Sequence, residues 1–494
     1  MVSQYVDDAE VEMSRYAVEI QEHTAELVSL RNKVRELEKT THKYRSLLSP
    51  VHKVPPEILL EIFKLCCSEG SFQPSHVPTP DLLAAVCGRW RDIALTSSSL
   101  FSTIRIELCE AWEEEDGYAT LDQQVRSFLE RSGSVTLDIF LDLDHVYPDE
   151  RVTPIIEALV LQSYRWKSVE LRNITRGCLQ HPAFAPLGQG GLPILTHLGV
   201  SDDASYDATA HAEPFVCQLF AQCPSLKSLR LKDSAPLLAV DNLPWAQIRI
   251  LETFDGYGYA LDTIFRCRNV QELILENVGG YNKHEGPYNV EHITSAIRRL
   301  TVLASTEEEL SCIFKESTLH SLSFLDIRGT SKHARVPWKD AGIAIIDFFQ
   351  RSSCNLTILI LHSIPISDTQ SLCILRSLPS LINLHVAEHQ VGPSNRIVTS
   401  QFLRQFTVSP AVPFLPRLTH VKFVLHAREL KLELLCRALV SRWLPDDNYA
   451  SDVGISCIRW VEVDFFEAGE HVKTLLMELG WMARAGAHLA ISTL

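Results

Sequence analysis

The chain has 494 residues, of which 22% are charged and 46% hydrophobic, with a formal net charge of −15. That length demands two or three compact units or a repeat array, and the acidic balance argues against a general nucleic-acid surface, where clustered Lys and Arg are expected. No apolar run reaches the roughly eighteen residues that a bilayer span needs. Asp7, Asp8, Glu10 and Glu12 are wrong for the basic start of a signal peptide. The thirteen cysteines are scattered singly apart from Cys66 and Cys67, and they read as free thiols of a cytoplasmic or nuclear protein. On that reading the sequons at Asn173 and Asn355 are silent.

Met13, Ile20, Leu27, Val34, Thr41 and Leu48 recur every seven residues, and Tyr16, His23, Leu30, Leu37 and Tyr44 fill a second seam. Alternating steps of three and four are the coiled-coil period. The tract implies self-association, a partner helix, or a single helix lying back on the body of the protein. His23 and Thr41 are polar seam positions of the kind that set register. Pro50 and the pair Pro55-Pro56 end the helix.

The next stretch reads Val54, Pro55, Pro56, Glu57, Ile58, Leu59, Leu60, Glu61, Ile62 and Phe63, an apolar helix with proline where its missing N–H has no partner to lose. After a loop from Ser68 to Pro80 comes a second helical pattern from Asp81 to Ala94, holding Leu82, Leu83, Val86, Cys87 and Trp90, and then Leu100 and Phe101. About fifty residues of short helices bury too little apolar surface to stand alone comfortably. The surplus asks for a partner. This stretch resembles the F-box, which runs Leu-Pro-x-Glu-Ile/Leu-Leu-x-x-Ile-Phe, Leu-Leu-x-x-x-x-Val-Cys-x-x-Trp and a Leu-Trp pair. Val54 stands for the usual leucine and Phe101 for the tryptophan, and the loop is longer than most. The resemblance implies docking on the Skp adaptor of a cullin-RING ubiquitin ligase. Pro55, Pro56, Ile58, Leu59, Ile62, Phe63, Leu82, Val86 and Trp90 then form or support the adaptor-facing surface.

An acidic run follows, with Glu107, Glu110, Glu113, Glu114, Glu115 and Asp116, read as a solvated loop; a helix pattern spans Leu121 to Arg131. Beyond Ser132 one template repeats, apolar-x-x-apolar-x-apolar, from Trp166, Val169 and Leu171 to Ile458, Val461 and Val463. Eleven copies start roughly 29 residues apart, counting the weak one at Ile248, Leu251 and Thr253. Helix-period segments precede many copies: Pro214–Gln222, Leu261–Arg266, Glu307–Lys315, Gly342–Gln350, Leu372–Leu378 and Leu432–Trp443. Proline stands just before the first apolar residue in Cys223-Pro224-Ser225, Leu378-Pro379-Ser380 and Leu415-Pro416-Arg417, where it ends a helix and opens an extended segment. Such alternation resembles leucine-rich repeats of irregular length, although no asparagine ladder is present. Leu475, Leu476, Leu479, Trp481 and Met482 predict a terminal capping helix.

No Cys-x-x-Cys, His-Glu-x-x-His, phosphate loop or Gly-x-Ser-x-Gly occurs, so no enzyme, cofactor or metal is indicated. Gly188-Gln189-Gly190-Gly191 reads as a loop. On the template, Arg230, Lys232, Glu272, Glu276, His362, His385 and His420 point to the concave face. The histidines fall on successive strands but in different columns, too spread for a metal site. Ile274, Ile358 and Ile360, apolar among charges, suit a protein interface. The candidate substrate-binding set is Arg230, Lys232, Glu272, Ile274, Ile358, Ile360 and His385.

The expected fold is α/β: a coiled-coil helix over 1–49, a small all-α F-box over 50–106, an acidic linker and helix over 107–131, and a curved leucine-rich-repeat-like solenoid of parallel strands with outer helices over 132–494. This order resembles fungal F-box proteins. It implies a non-catalytic substrate receptor of a Skp-cullin-F-box ligase, with Skp adaptor, cullin and a protein substrate as partners. The rival reading is a coiled-coil and repeat scaffold with no ligase role.

Overall fold

A computed structural model gives the fold and describes residues 2–47, 50–67, 70–74, 77–113, 116–143, 148–174, 176–201, 218–232, 243–254, 268–276, 293–294, 296–330, 337–390, 396–409, 413–427, 430–444, 446, 454–467 and 469–493. The chain divides into two compact units, one of Met1–Ser68 with Thr79–Leu100 and one of Glu69–Pro78 with Phe101–Leu494. The loop inside the F-box-like stretch therefore belongs to the larger unit.

In the smaller unit a helix of 46 residues spans Val2–Leu47. Its described side chains are exposed. Three short helices follow, Pro56–Cys66, Thr79–Val86 and Gly88–Thr96, packed on one another. Pro55 enters the first with φ −56° and ψ 148°, and Pro56 occupies its first turn. Leu59 and Phe63, one turn apart, point inward, and the Phe63 ring lies 4.8 Å from that of Trp90. Arg89 donates a hydrogen bond to the Val54 carbonyl, tying the third helix to the entry of the first. The pattern expected as one helix from Asp81 to Ala94 is two, because Cys87 is fully extended at φ −160° and ψ 169°.

In the larger unit, among the described residues, fifteen strands form one parallel sheet in chain order; the short strands Ile293–Thr294 and Ser317–Thr318 pair apart from it. Every template position in the eleven copies is buried, at most 3% exposed. The alternation follows from the two-residue period of a strand, which sends successive side chains to opposite faces. Helices Glu307–Glu316, Ala341–Ser352, Asp368–Arg376, Ser400–Phe406, Leu432–Ser441 and Glu470–Arg484 each pack on the next. Capping boxes Thr306/Glu309 and Ser367/Gln370 fix two of their starts. The protein is thus an α/β repeat solenoid.

The ladder begins earlier than residue 132. Phe101, Ile104 and Ile106 also carry the template, and the strand Thr103–Glu107 pairs in parallel with Leu137–Asp142. The expected linker is a repeat element as well: the helix Gly117–Arg131 buries Tyr118, Leu121, Val125, Phe128 and Leu129. Ahead of it, Ser71–Phe72 adds two residues of strand beside Arg105 and Ile106. Gly70, at φ +49°, is required there, since a Cβ would stand 2.4 Å from the Thr103 carbonyl oxygen. At the far end the terminal helix is followed by a strand, His488–Thr493, paired with Trp460–Phe465, so a further repeat unit replaces the simple cap.

The prolines before the strands sit in turns rather than in extended segments. Leu226 N–H bonds to Cys223 O at 3.2 Å, and Leu381 and Leu418 close onto Leu378 and Leu415 at 3.3 Å. Pro224, Pro379 and Pro416 occupy the second turn position, where their fixed φ is favourable. Successive entry loops are stitched by backbone, as in Arg249 N–H to Lys227 O and Gln271 N–H to Arg249 O, both 2.8 Å. This stitching does the work of an asparagine ladder. Residues Gly188 to Gly190 lie in a short helix, Ala185–Gly190, rather than a loop. The segment expected to be helical over Leu261–Arg266 and the first four residues of that over Pro214–Gln222 lie outside the described residues; Gln218–Phe220 forms one 3-10 turn.

Arg442 is wholly buried, and among the described residues no carboxylate pairs with it. Its Nε donates to Phe406 O at 2.8 Å, Nη1 to Leu415 O at 3.2 Å and Nη2 to Phe414 O at 2.5 Å. Burial pulls its pKa down to about 10, which leaves it charged at neutral pH. It joins the end of one helix to the turn opening the next strand.

Candidate functional site

In the smaller unit the apolar residues divide by face. Ile58, Ile62 and Leu65, at helical spacing, are exposed, as are Leu82 and Val86 on the next helix; all five are between 45% and 77% exposed. Leu59 and Phe63 face the interior, and Trp90 is half-buried against Phe63. Pro55 and Pro56 are exposed at the helix entry. The expected set therefore splits into exposed Pro55, Pro56, Ile58, Ile62, Leu82 and Val86 and supporting Leu59, Phe63 and Trp90. The sequence hides this split, because the charges of this helix, Glu57, Glu61 and Lys64, lie on a third stripe and mark neither apolar face.

In the larger unit the sheet face opposite the buried positions is built in columns by the register. One column runs Glu170, Gly199, Arg230, Glu252 and Ile274, then Thr301, Asp326, Ile360, His385, Lys422 and Glu462. Glu170 Oε1 reaches Arg230 Nη1 at 2.6 Å across the intervening strand, and Arg230 Nε lies 2.8 Å from Glu252. Gly199 permits the crossing: a Cβ there would stand 3.1 Å from Glu170 Cγ. Arg172 contacts Glu170 at 3.2 Å and lies over the Phe140 ring, whose other neighbour is Arg105, 3.8 Å from its centroid and paired with Glu107. His197 bonding, opposed by burial and aided by Arg230 and Arg172, holds the Glu170 carboxyl down to about 2. This end of the face is charged and internally neutralised.

The expected substrate-binding residues fall in two patches. Arg230, Lys232, Glu272 and Ile274 lie on strands Ser228–Lys232 and Glu272–Glu276, with Ile250–Phe254 between them; Lys232 lies over Phe254. Ile358, Ile360 and His385 adjoin on the strands Ile358–His362 and Asn383–Ala387, with Ile360 directly beside His385. Strands Arg299–Ala304 and Phe324–Gly329 separate the patches. Around the second patch, Phe324 is covered by Arg299 at 3.9 Å, and Asp326 is buried under Arg328 at 2.7 Å. Burial, then Lys422 and His362, push His385 down to about 4, and burial lowers His362 too. His362, His385 and His420 occupy three different columns. Among the described residues, no three His, Cys, Asp or Glu side chains are placed to hold a metal.

A third patch had no sequence signal. Trp460 stacks on His488 with centroids 3.5 Å apart and on His420 at 6.0 Å, while its Nε1 donates to Glu462 at 2.6 Å. Lys422 pairs with Glu462 at 2.9 Å. Trp460 is a non-template residue and His488 lies on the strand the sequence did not announce.

The larger unit is an α/β repeat solenoid built on one parallel sheet. No family model and no curated protein matches the chain. Several solved structures are similar to it. The complex of Rad7 and Elc1 in yeast has a TM-score of 0.33 and 16% identity, covering 79% of this chain and 94% of that one. The leucine-rich repeat-containing protein LegL7 from Legionella pneumophila has a TM-score of 0.35 and 14% identity, covering 66% and 94%. Among the described residues no helix is long and apolar enough to cross a membrane.

Proposed function

We propose that this chain is a non-catalytic substrate receptor of a Skp-cullin-F-box ubiquitin ligase. The observation that carries the reading is the exposed stripe of Ile58, Ile62, Leu65, Leu82 and Val86 on a unit whose own small core is already filled by Leu59, Phe63, Ala84 and Ala94. Exposed apolar side chains in that density on so small a unit mark a protein contact, and the residues carrying them are those of the F-box-like motif. The sheet face then supplies the substrate surface, with Ile358, Ile360 and His385 as its apolar centre and the neutralised charges around them as its rim. The receptor would act by proximity, raising the local concentration of target lysines near a charged ubiquitin carrier. Free thiols suit the cytoplasm or nucleus for this work.

Hydrogen exchange on the chain with and without purified Skp adaptor tests the assignment. Added protection over Pro56–Cys66 and Thr79–Val86 is expected. Unchanged exchange there, in a chain whose sheet remains protected, would replace the receptor by the scaffold reading.

A further inference from the structure

The helix Val2–Leu47 has no proline or glycine and none of its described side chains is buried. At about 1.5 Å per residue it is roughly 70 Å long. Both seams lie open: Met13, Ile20, Leu27 and Val34 on one, Tyr16, Leu30, Leu37 and Tyr44 on the other, each half or more exposed. Isolated helices in water draw little stability from propensity alone and depend on packing of an apolar face. Something must cover this one.

We propose that a second copy of this chain covers it, in a parallel, in-register two-stranded coiled coil. The helix is complementary to itself in that arrangement. With Met13, Ile20, Leu27, Val34 and Thr41 at position a and Tyr16, His23, Leu30, Leu37 and Tyr44 at d, each g residue faces the e residue five places on in the other copy. Glu26 then meets Arg31, and Lys33 meets Glu38, each twice by symmetry. The remaining g and e pairs, Glu12 with Ala17, Glu19 with Thr24 and Thr40 with Arg45, set no like charges together.

The polar seam positions point the same way. In register, His23 faces His23 and Thr41 faces Thr41, so no polar group is pressed against an apolar one. An antiparallel pair with Leu27 over Leu30 would bury His23 against Val34 and Thr41 against Tyr16. Sliding by one heptad to match Thr41 with His23 would oppose Lys33 to Lys33 and Arg31 to Arg31, which is repulsive. The parallel alignment satisfies both the charges and the polar layers. Nothing in this inference depends on the adaptor-facing stripe.

The test is sedimentation equilibrium on the full chain at micromolar concentration. Wild type should have the mass of a dimer. Leu27→Asp with Leu30→Asp should be monomeric with the melting of the repeat region unchanged. Glu26→Lys, a surface change that spares folding, should weaken association roughly tenfold, and adding Arg31→Glu should restore it. A monomeric wild type, or a dimer that survives the Leu27 and Leu30 changes, would overturn the proposal. Rescue by Lys33→Glu instead of Arg31→Glu would overturn the parallel arrangement, since only an antiparallel pair sets Glu26 beside Lys33.

Discussion

The two compact units dispose of their apolar side chains in opposite ways. The larger buries every template position and answers the charges of its open face with one another: Glu170 with Arg230, Arg230 with Glu252, Lys422 with Glu462. The smaller fills its interior with Leu59 and Phe63 and leaves Ile58, Ile62, Leu65, Leu82 and Val86 in water. A repeat array gains core with each added repeat, because every new strand buries its apolar face on its neighbour. A few short helices run out of interior and carry the remainder outside. The difference separates a unit whose template side chains are all buried within it from one that leaves part of its apolar surface exposed.

Mutations should break the two units differently. The largest effect is expected from Arg442→Ala, which strips three buried carbonyls of their donor and removes a buried cation's whole hydrogen-bond set, costing about 3–5 kcal/mol. Thermal melting of the repeat unit reads it. Next comes a contrast inside the smaller unit: Phe63→Ala should cost about 3–5 kcal/mol, whereas Ile62→Asp, on the outer face, should stay within about 0.5 kcal/mol. Equal losses for both would erase the division between core and exposed face. The smallest effect concerns the charged end of the sheet. The Glu170 carboxyl is held near 2 against its ordinary 4.5, so its contribution is present at neutral pH and is lost as pH falls from about 4.5 toward 2. Glu170→Gln should melt earlier at neutral pH, with the gap to wild type closing over that acid window. A gap constant with pH would mean that the charge of Glu170 does nothing for the fold.

The ladder was legible because its period survives in three buried positions per repeat, whatever the spacing between copies. What escaped has local physical causes. Phe101, Ile104 and Ile106 carry the template yet also close the F-box-like motif, so one segment served two readings and the ladder's start was set too late. The strand His488–Thr493 has Leu489 and Ile491, but the first template position falls on Gly486, which turns at φ +103° and offers no side chain. Cys87 breaks a helix that periodicity alone carries through. Glu170 and Arg230, 60 residues apart, meet across the Gly199 strand, a contact that needs the register. Within the F-box-like motif, the sequence could not separate Ile58 and Ile62 from Leu59 and Phe63, since both pairs lie on apolar stripes of that helix and only packing against Trp90 decides between them.

The most direct measurement is an equilibrium titration of purified Skp adaptor into wild-type chain and into Ile58→Asp, Ile62→Asp. Both substitutions lie on the outer face, so both proteins should melt alike. Wild type should bind saturably. The variant should bind roughly a hundredfold more weakly, as loss of two anchoring side chains at about 1–2 kcal/mol each requires. A folded wild type that does not bind, or a variant that binds as well, would contradict the receptor account.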